Sequence, residues 1–467
     1  MDHEQNRGTA GIREALEQAQ AHLSHPHRTR VRHHNHMAVP WHEVIDCDDM
    51  LAVDADIDDK SSIICRAGLL KLAGGTGSWR VRDCMNKIAE VLGVTISVAV
   101  SLTTIECTCI DGHRSFSEVL SLPTTGVNTE RIWLMEQFVR EAQADGHTWT
   151  VAEFHDRMDA IERKPGRYAP WKVGLASAAA CCAFVFLLGG GPIEMGCAFV
   201  GAGLGNYVRR ILLDCRLTHF VSIGIAVAVA CLVYLGCLSV LSLAVPGALE
   251  HEAGYIGAML FVIPGFPLIT SGLDIAKLDF RSGIERLSYA VAVIIVAALV
   301  AWLVAMTVEL HPDEFADQGL TAPVLFFLRL LASFVGVFGF SMMFNSPMRM
   351  AATAGAVGAI ANTLRLSLVD FAAMPPEAAA FAGALVAGLL ASAAGTRTTF
   401  PRISITVPSI VIMVPGLYMY RAVYYMGMFE VLDAMEWIMR AVMIILFLPM
   451  GLALARAITD PEWRYCS

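Results

Sequence analysis

Phe261–Asp274 reads FVIPGFPLITSGLD, and Val414–Tyr420 reads VPGLYMY; Pro415 follows Pro264 by 151 positions (415 − 264). Each Pro-Gly pair interrupts a long apolar stretch near its middle. Proline removes a backbone donor and clashes with the preceding turn, while glycine lets another backbone approach closely. In lipid, freed backbone groups are tolerated only where protein or water covers them. Matched Pro/Gly-broken segments in two halves of a membrane domain point to a transporter's substrate site. The sequence therefore reads as a secondary transporter.

Composition agrees with a bilayer setting. Of 467 residues, 55% are apolar and 16% charged, and the mean hydropathy is +0.55. Soluble domains average about 25% charged residues. The charge is unevenly spread: residues 1–170 are polar, and everything from Trp171 onward is apolar with short charged punctuation. The net charge of −9 says little about partners, because in a membrane protein its location matters more than its sum, and no nucleic-acid partner is expected. No HExxH, GxSxG or paired-carboxylate pattern stands out, so no catalytic constellation, cofactor or metal is expected.

Ten candidate spans follow, near 171–189, 193–210, 219–241, 254–274, 286–308, 322–342, 348–365, 377–395, 403–424 and 435–456. Each approaches the roughly 20 residues needed to cross hydrocarbon. Arg209, Arg210 and Arg216 follow the second; Lys277, Arg281 and Arg286 the fourth; Arg349 the sixth; Arg397 and Arg402 the eighth; Arg456 the tenth. Glu250, Glu252, Glu430 and Asp433 mark the opposite loops, so both termini are expected in the cytoplasm, with the chain multi-pass in the plasma (inner) membrane. Five spans per half is an odd number, which forces the halves into opposite orientation. The expected fold is a polytopic α-helical membrane protein with two inverted five-helix repeats, residues 166–310 and 311–467, after a small α+β cytoplasmic domain.

That domain is expected over 61–165. Ile63–Ala73 and Val81–Leu92 have helical spacing; Thr95–Ile110 is rich in Val, Ile and Thr and Asp111-Gly112 supplies a turn, so a hairpin is expected; Thr129–Ala144 and Thr150–Ile161 read as helices, each opened by a threonine able to cap it. Residues 1–60 hold seven histidines between His22 and His42 and read as a disordered tail rather than a metal site. The twelve cysteines are expected as free thiols.

Particular motifs resemble the threonine/serine exporter family. These are Ala73-Gly74 with Arg80-Val81, Asp83-Cys84-Met85 and Leu92-Gly93, then Val127-Asn128 with Glu130-Arg131-Ile132, then the two Pro-Gly segments. The resemblance spans roughly 61–457 with the parts in the same order. It implies proton-driven export of threonine and serine; relatives made of two polypeptides are linked to dicarboxylate export. The partners it implies are a small amino-acid substrate, protons and the lipid bilayer. A homo-oligomer is compatible with it.

Candidate residues for substrate lie around the breaks: Pro264, Gly265 and Thr270 on the fourth span, and Pro415, Gly416, Tyr420 and Arg421 on the ninth. Asp274 is the candidate for the coupling proton or the substrate ammonium, against a plain interfacial role beside Lys277. Arg421, opposite Thr270 under the 151-residue offset, could clamp a carboxylate with two hydrogen bonds, against snorkelling to an interface. Arg329 is expected deeper in its span. Asn206 lies mid-span, with helix–helix hydrogen bonding the better reading. A membrane-anchored enzyme or sensor is the rival from another class, and ten spans are far more than an anchor needs.

Overall fold

The computed structural model describes residues 39–42, 49–312, 314–315 and 318–465. The expected histidine-rich tail lies largely outside these described residues. The chain divides into residues 1–44 and 45–467, and all the described elements belong to the second.

A polar domain comes first: α1 (Ile57–Ala73), α2 (Ser78–Val91), β1 (Thr95–Val100), β2 (Thr104–Asp111), β3 (Arg114–Ser121), α3 (Thr129–Asp145) and α4 (Val151–Glu162). The strands form one antiparallel sheet in the order β1-β2-β3. Thr95–Ile110 is thus two strands, split at Ser101, whose hydroxyl accepts from the Thr104 N–H at 3.0 Å. The Asp111-Gly112 turn does exist, but it joins β2 to β3, with Gly112 at φ 58°. Ile105, Cys107 and Cys109 alternate inward from β2 onto α1. Helix α1 is buried along almost its whole length, including Arg66 and Lys71. Arg66 meets Asp159 and Glu162 of α4, and Lys71 meets Glu136 of α3 at 2.7 Å. Burying these cations is tolerable because each is ion-paired.

Caps explain the helix starts. Thr150 opens α4 with a full capping box to Glu153. At α3 the cap is Asn128, whose side chain accepts from the Arg131 N–H at 3.0 Å. Thr129 is diverted: its hydroxyl lies 3.0 Å from the Phe344 carbonyl and 2.7 Å from Ser346 Oγ, both in the apolar region of the chain.

The apolar region contains α5 (Pro170–Leu187), α6 (Pro192–Asp214), α7 (His219–Ser242), α8 (Tyr255–Met259), α9 (Gly265–Ala276), α10 (Phe280–Thr307), α11 (Ala322–Met343), α12 (Met348–Ala372), α13 (Pro376–Gly395), α14 (Arg402–Val411), α15 (Gly416–Gly427), α16 (Val431–Thr459) and a last turn, α17 (Pro461–Arg464). Among the described residues, seven helices are long and apolar enough to cross a membrane. Two bent pairs, Ala248–Val262 with α9 (57°) and α14 with α15 (49°), raise this to nine. The remaining expected span, α6, is 23 residues long but carries Glu194, Arg209 and Arg210, and it does not join them. The chain is a polytopic helical membrane protein. Its ten described cysteines are free thiols.

The two halves share backbone features at corresponding helix ends. Gly189 after α5 and Asn345 after α11 have positive φ; so do Arg216 after α6 and Ala373 after α12, and Leu278 after α9 and Phe429 after α15. Positive φ is uncommon outside glycine, so its recurrence at matched ends is informative. Packing repeats as well. Helix α5 lies on α6 as α11 lies on α12, and α9 lies on α10 as α15 lies on α16. Across the halves, α9 packs on α16 and α15 packs on α10.

Candidate functional site

Both breaks have one geometry. Pro264 sits at φ −82°, ψ 58° and Pro415 at φ −80°, ψ 53°. The Gly265 N–H reaches the Ile263 carbonyl at 2.8 Å, and the Gly416 N–H reaches the Val414 carbonyl at 2.8 Å. Each break is therefore an inverse γ-turn centred on proline. Helices α9 and α15 both start there, each 12 residues long.

The two turns also touch one another. A Cβ on Gly265 would meet Val411 at 3.1 Å and Val414 at 3.3 Å; one on Gly416 would meet Leu260 at 2.8 Å and Ile263 at 3.4 Å. Val411 and Val414 occupy the places that Leu260 and Ile263 hold in the first half, so the contact is reciprocal. Glycine keeps both positions clear for the opposite turn, whose side chains come within 2.8–3.4 Å of where a Cβ would stand. Two helix N-termini thus converge on one buried crossing, and the positive ends of their dipoles favour negative charge there.

Tyr420 is buried beside the crossing, with its hydroxyl 2.6 Å from that of Tyr255 on α8. This bond links the halves, and Tyr255 was missed because a tyrosine ten residues before the break carries no motif. Arg421 is buried on α15 with its guanidinium 4.7 Å from the Trp437 ring of α16. Thr270 is buried too, and its hydroxyl donates to the Phe266 carbonyl at 3.0 Å within its own helix. The cavity against Pro415, about 10 Å³, is lined by Leu268, Ile269, Val414, Ile445, Leu448 and Pro449. That space is too small to hold an amino acid. A larger cavity of about 590 Å³, against Cys182, Phe186, Met195, Leu328 and Leu331, has no charged lining residue and suits an acyl chain better than a zwitterion.

Asp274 lies nine residues beyond Gly265, about 14 Å along α9. There it pairs with Arg286 of α10 at 3.1 Å and accepts from the Ser282 hydroxyl at 2.9 Å. It also accepts the Ser78 N–H at 3.1 Å, which places its carboxylate at the N-terminus of α2 in the polar domain. Arg286 in turn donates to the Thr76 carbonyl at 2.8 Å. Asp274 is thus part of the joint between the domains, away from the crossing.

Two further candidates also lie away from it. Arg329, expected deeper in its span, is paired with Asp370 of α12. Asn206 is buried on α6 and donates to the Val173 carbonyl of α5 at 3.4 Å. Its counterpart Asn362 on α12 donates to Ser333 of α11 at 2.9 Å, a helix-to-helix bond in the matching place.

A threonine/serine exporter family model matches residues 62–308, more than half of the chain, and a second, "Threonine/Serine exporter, ThrE", matches 329–458. The chain belongs to the threonine/serine exporter family. The exporter is similar to a Mycobacterium tuberculosis protein named "Probable threonine/serine exporter", 23% identical over 416 residues, which are 85% of this chain and 75% of that one. It is similar also to "Probable succinate transporter subunit YjjP" of Escherichia coli, 24% identical over 51% of this chain and 92% of that one. The subunit of the same name from Klebsiella aerogenes matches at 24% over 52% and 91%. No solved structure matches. Membership of this family and its apolar helices make the exporter a multi-pass membrane transporter.

Proposed function

We propose that this exporter carries small polar amino acids, threonine or serine, out of the cell in exchange for protons. The observation that carries the reading is the reciprocal crossing of the two Pro-Gly turns. Two helix N-termini meeting in a water-poor place suit a substrate carboxylate, as in other carriers with broken helices. In this reading the chain crosses the plasma membrane ten times, in two inverted halves with both termini cytoplasmic. The matched turns and the cross-packing of α9 with α16 and α15 with α10 support the repeat. The substrate would contact Pro264, Gly265, Thr270, Pro415, Gly416 and Tyr420, with Tyr255 added. Arg421 would shift from Trp437 to the carboxylate as the crossing opens.

Asp274 takes the coupling proton. Protonated, it no longer holds Arg286 by charge, and its grip on the Ser78 N–H weakens, which frees α9 from the polar domain. The name of the Mycobacterium tuberculosis relative supports an amino-acid substrate. The names of the Escherichia coli and Klebsiella aerogenes relatives support a second reading, a dicarboxylate. Against that reading, Arg329 is already neutralised by Asp370, which leaves one of the two expected cations.

Purified protein in liposomes preloaded with labelled threonine, serine or succinate tests both. Threonine or serine efflux that rises with an imposed pH gradient, and loses that rise in Asp274→Asn, is expected. Succinate efflux alone would transfer the substrate to the second reading. Gradient-stimulated efflux in Asp274→Asn would remove the proton role.

A further inference from the structure

Cations gather without matching anions where the polar domain meets the ends of the apolar helices. Arg456, in the last turn of α16, is 3% exposed, and its Nη2 has no hydrogen-bond partner. Among the described residues no carboxylate pairs with it; its guanidinium lies 4.9 Å from the Trp463 ring. Trp463 packs edge-on against Trp79 of α2 at 5.7 Å, which brings the neighbouring Arg80 to the same place. Arg402, at the start of α14, donates to Thr459, one turn after Arg456.

Hydrogen bonding shows the same deficit. The Nε atoms of Arg80 and Arg402 are buried with no partner. Arg80 shares Glu136 with Lys71, at 3.2 and 2.7 Å. Arg402 has carbonyl and hydroxyl acceptors but no carboxylate. Among the described residues Glu136 pairs with Lys71 and Arg80, while Arg402 and Arg456 have no salt-bridge partner, and the Asp460 carboxylate is engaged with the Trp463 N–H. Buried charge without a counter-charge costs several kcal/mol, and three guanidinium forks with idle N–H groups are made to grip an oxyanion.

We propose that Arg80, Arg402 and Arg456 form a binding site for one phosphate group, between the polar domain and the ends of α14 and α16. One or two negative charges on the phosphate restore neutrality, and its oxygens take up the idle N–H groups. The phosphate can belong to a phospholipid headgroup, since Leu454 and Ile458 on the same helix end are exposed, or be free in solution. Its binding ties the polar domain to the second half, whereas Asp274 ties it to the first. The site is independent of which solute crosses the membrane.

The test is the melting temperature of the full chain in nanodiscs of neutral phosphatidylcholine, with inorganic phosphate or chloride at equal ionic strength, and in nanodiscs containing phosphatidylglycerol. A saturable rise is expected with phosphate or with the anionic lipid. The rise should vanish in Arg456→Gln and Arg402→Gln and persist in Arg397→Gln, which removes an exposed cation. Without phosphate or anionic lipid, Arg456→Gln should melt no lower than wild type, because it deletes an unmatched buried charge. A rise with lipid alone assigns the phosphate to a headgroup; a rise with free phosphate alone assigns it to solution. No rise under either condition, or an equal rise in both arginine variants, overturns the site. Should Arg456→Gln not fold, Arg402→Gln reads the same loss.

Discussion

Arg421 and Arg329 are one residue type in two settings, and they should respond differently to a conservative change. Arg421 is buried against Trp437 beside the crossing, where a flat guanidinium can stack and then fork onto a carboxylate. Lysine can do neither, so Arg421→Lys should lower transport about tenfold or more. Arg329 is answered by Asp370, a partly exposed pair worth roughly 0–1 kcal/mol, so Arg329→Lys should transport within about twofold of wild type. Initial efflux rates in liposomes decide this; equal rates in both variants would remove Arg421 from the substrate's path. Asp274 shows where reading single residues stops. An ionisable side chain at the end of an apolar run is visible in the sequence, but its partner Ser78 lies 196 positions away. Only the folded joint reveals that one carboxylate serves an ion pair and a helix N-terminus together.

Among the elements, the breaks were the most legible because proline and glycine impose backbone geometry wherever they stand. Their mutual contact was not legible, since spacing along a chain does not say which turn faces which. It leads to a prediction: Gly416→Val places a Cβ 2.8 Å from Leu260 and should destabilise the protein by about 1–3 kcal/mol. Gly265→Val, with its nearest contact at 3.1 Å, should cost less. Thermal melting of both variants in detergent checks the order, and the reverse order would contradict the crossing. The Asp111-Gly112 turn implied a hairpin, and β3 is the strand that completes it, but its extent was not legible because its residues are mostly polar and exposed and periodicity had no apolar face to follow. The cap of α3 was misplaced by one residue because Asn128 and Thr129 can both cap, and Thr129 is used to hold the Phe344–Ser346 turn.

Across the whole molecule, the polar domain touches both halves, through Asp274 and Arg286 on one side and Thr129 with Phe344 on the other. It is placed to brake any rocking of one half against the other. Its own cohesion should depend on acid. Burial alone would raise the Glu136 carboxyl, but Lys71 and Arg80 more than offset this and bring it from 4.5 down to about 2. A depressed carboxyl stabilises the fold above its unfolded value, and that contribution fades as pH falls through 4.5 toward 2. Discounted for partial exposure, it is about 2 kcal/mol at neutral pH. Glu136→Gln should therefore melt lower than wild type at neutral pH and converge with it in acid, as read by tryptophan fluorescence. A constant gap across that range would contradict the pairing.

The most direct measurement of the central claim is gradient-driven efflux of labelled threonine and serine from liposomes holding either wild type or a protein cross-linked across the breaks. Gly265→Cys with Val411→Cys supplies the pair, one residue from each side of the crossing, since a Cβ on Gly265 would stand 3.1 Å from Val411. If solute passes between the turns, oxidation of the pair should abolish efflux and reduction should restore it, while wild type is indifferent to both. Efflux at wild-type rates through the cross-linked protein would mean that the path lies elsewhere.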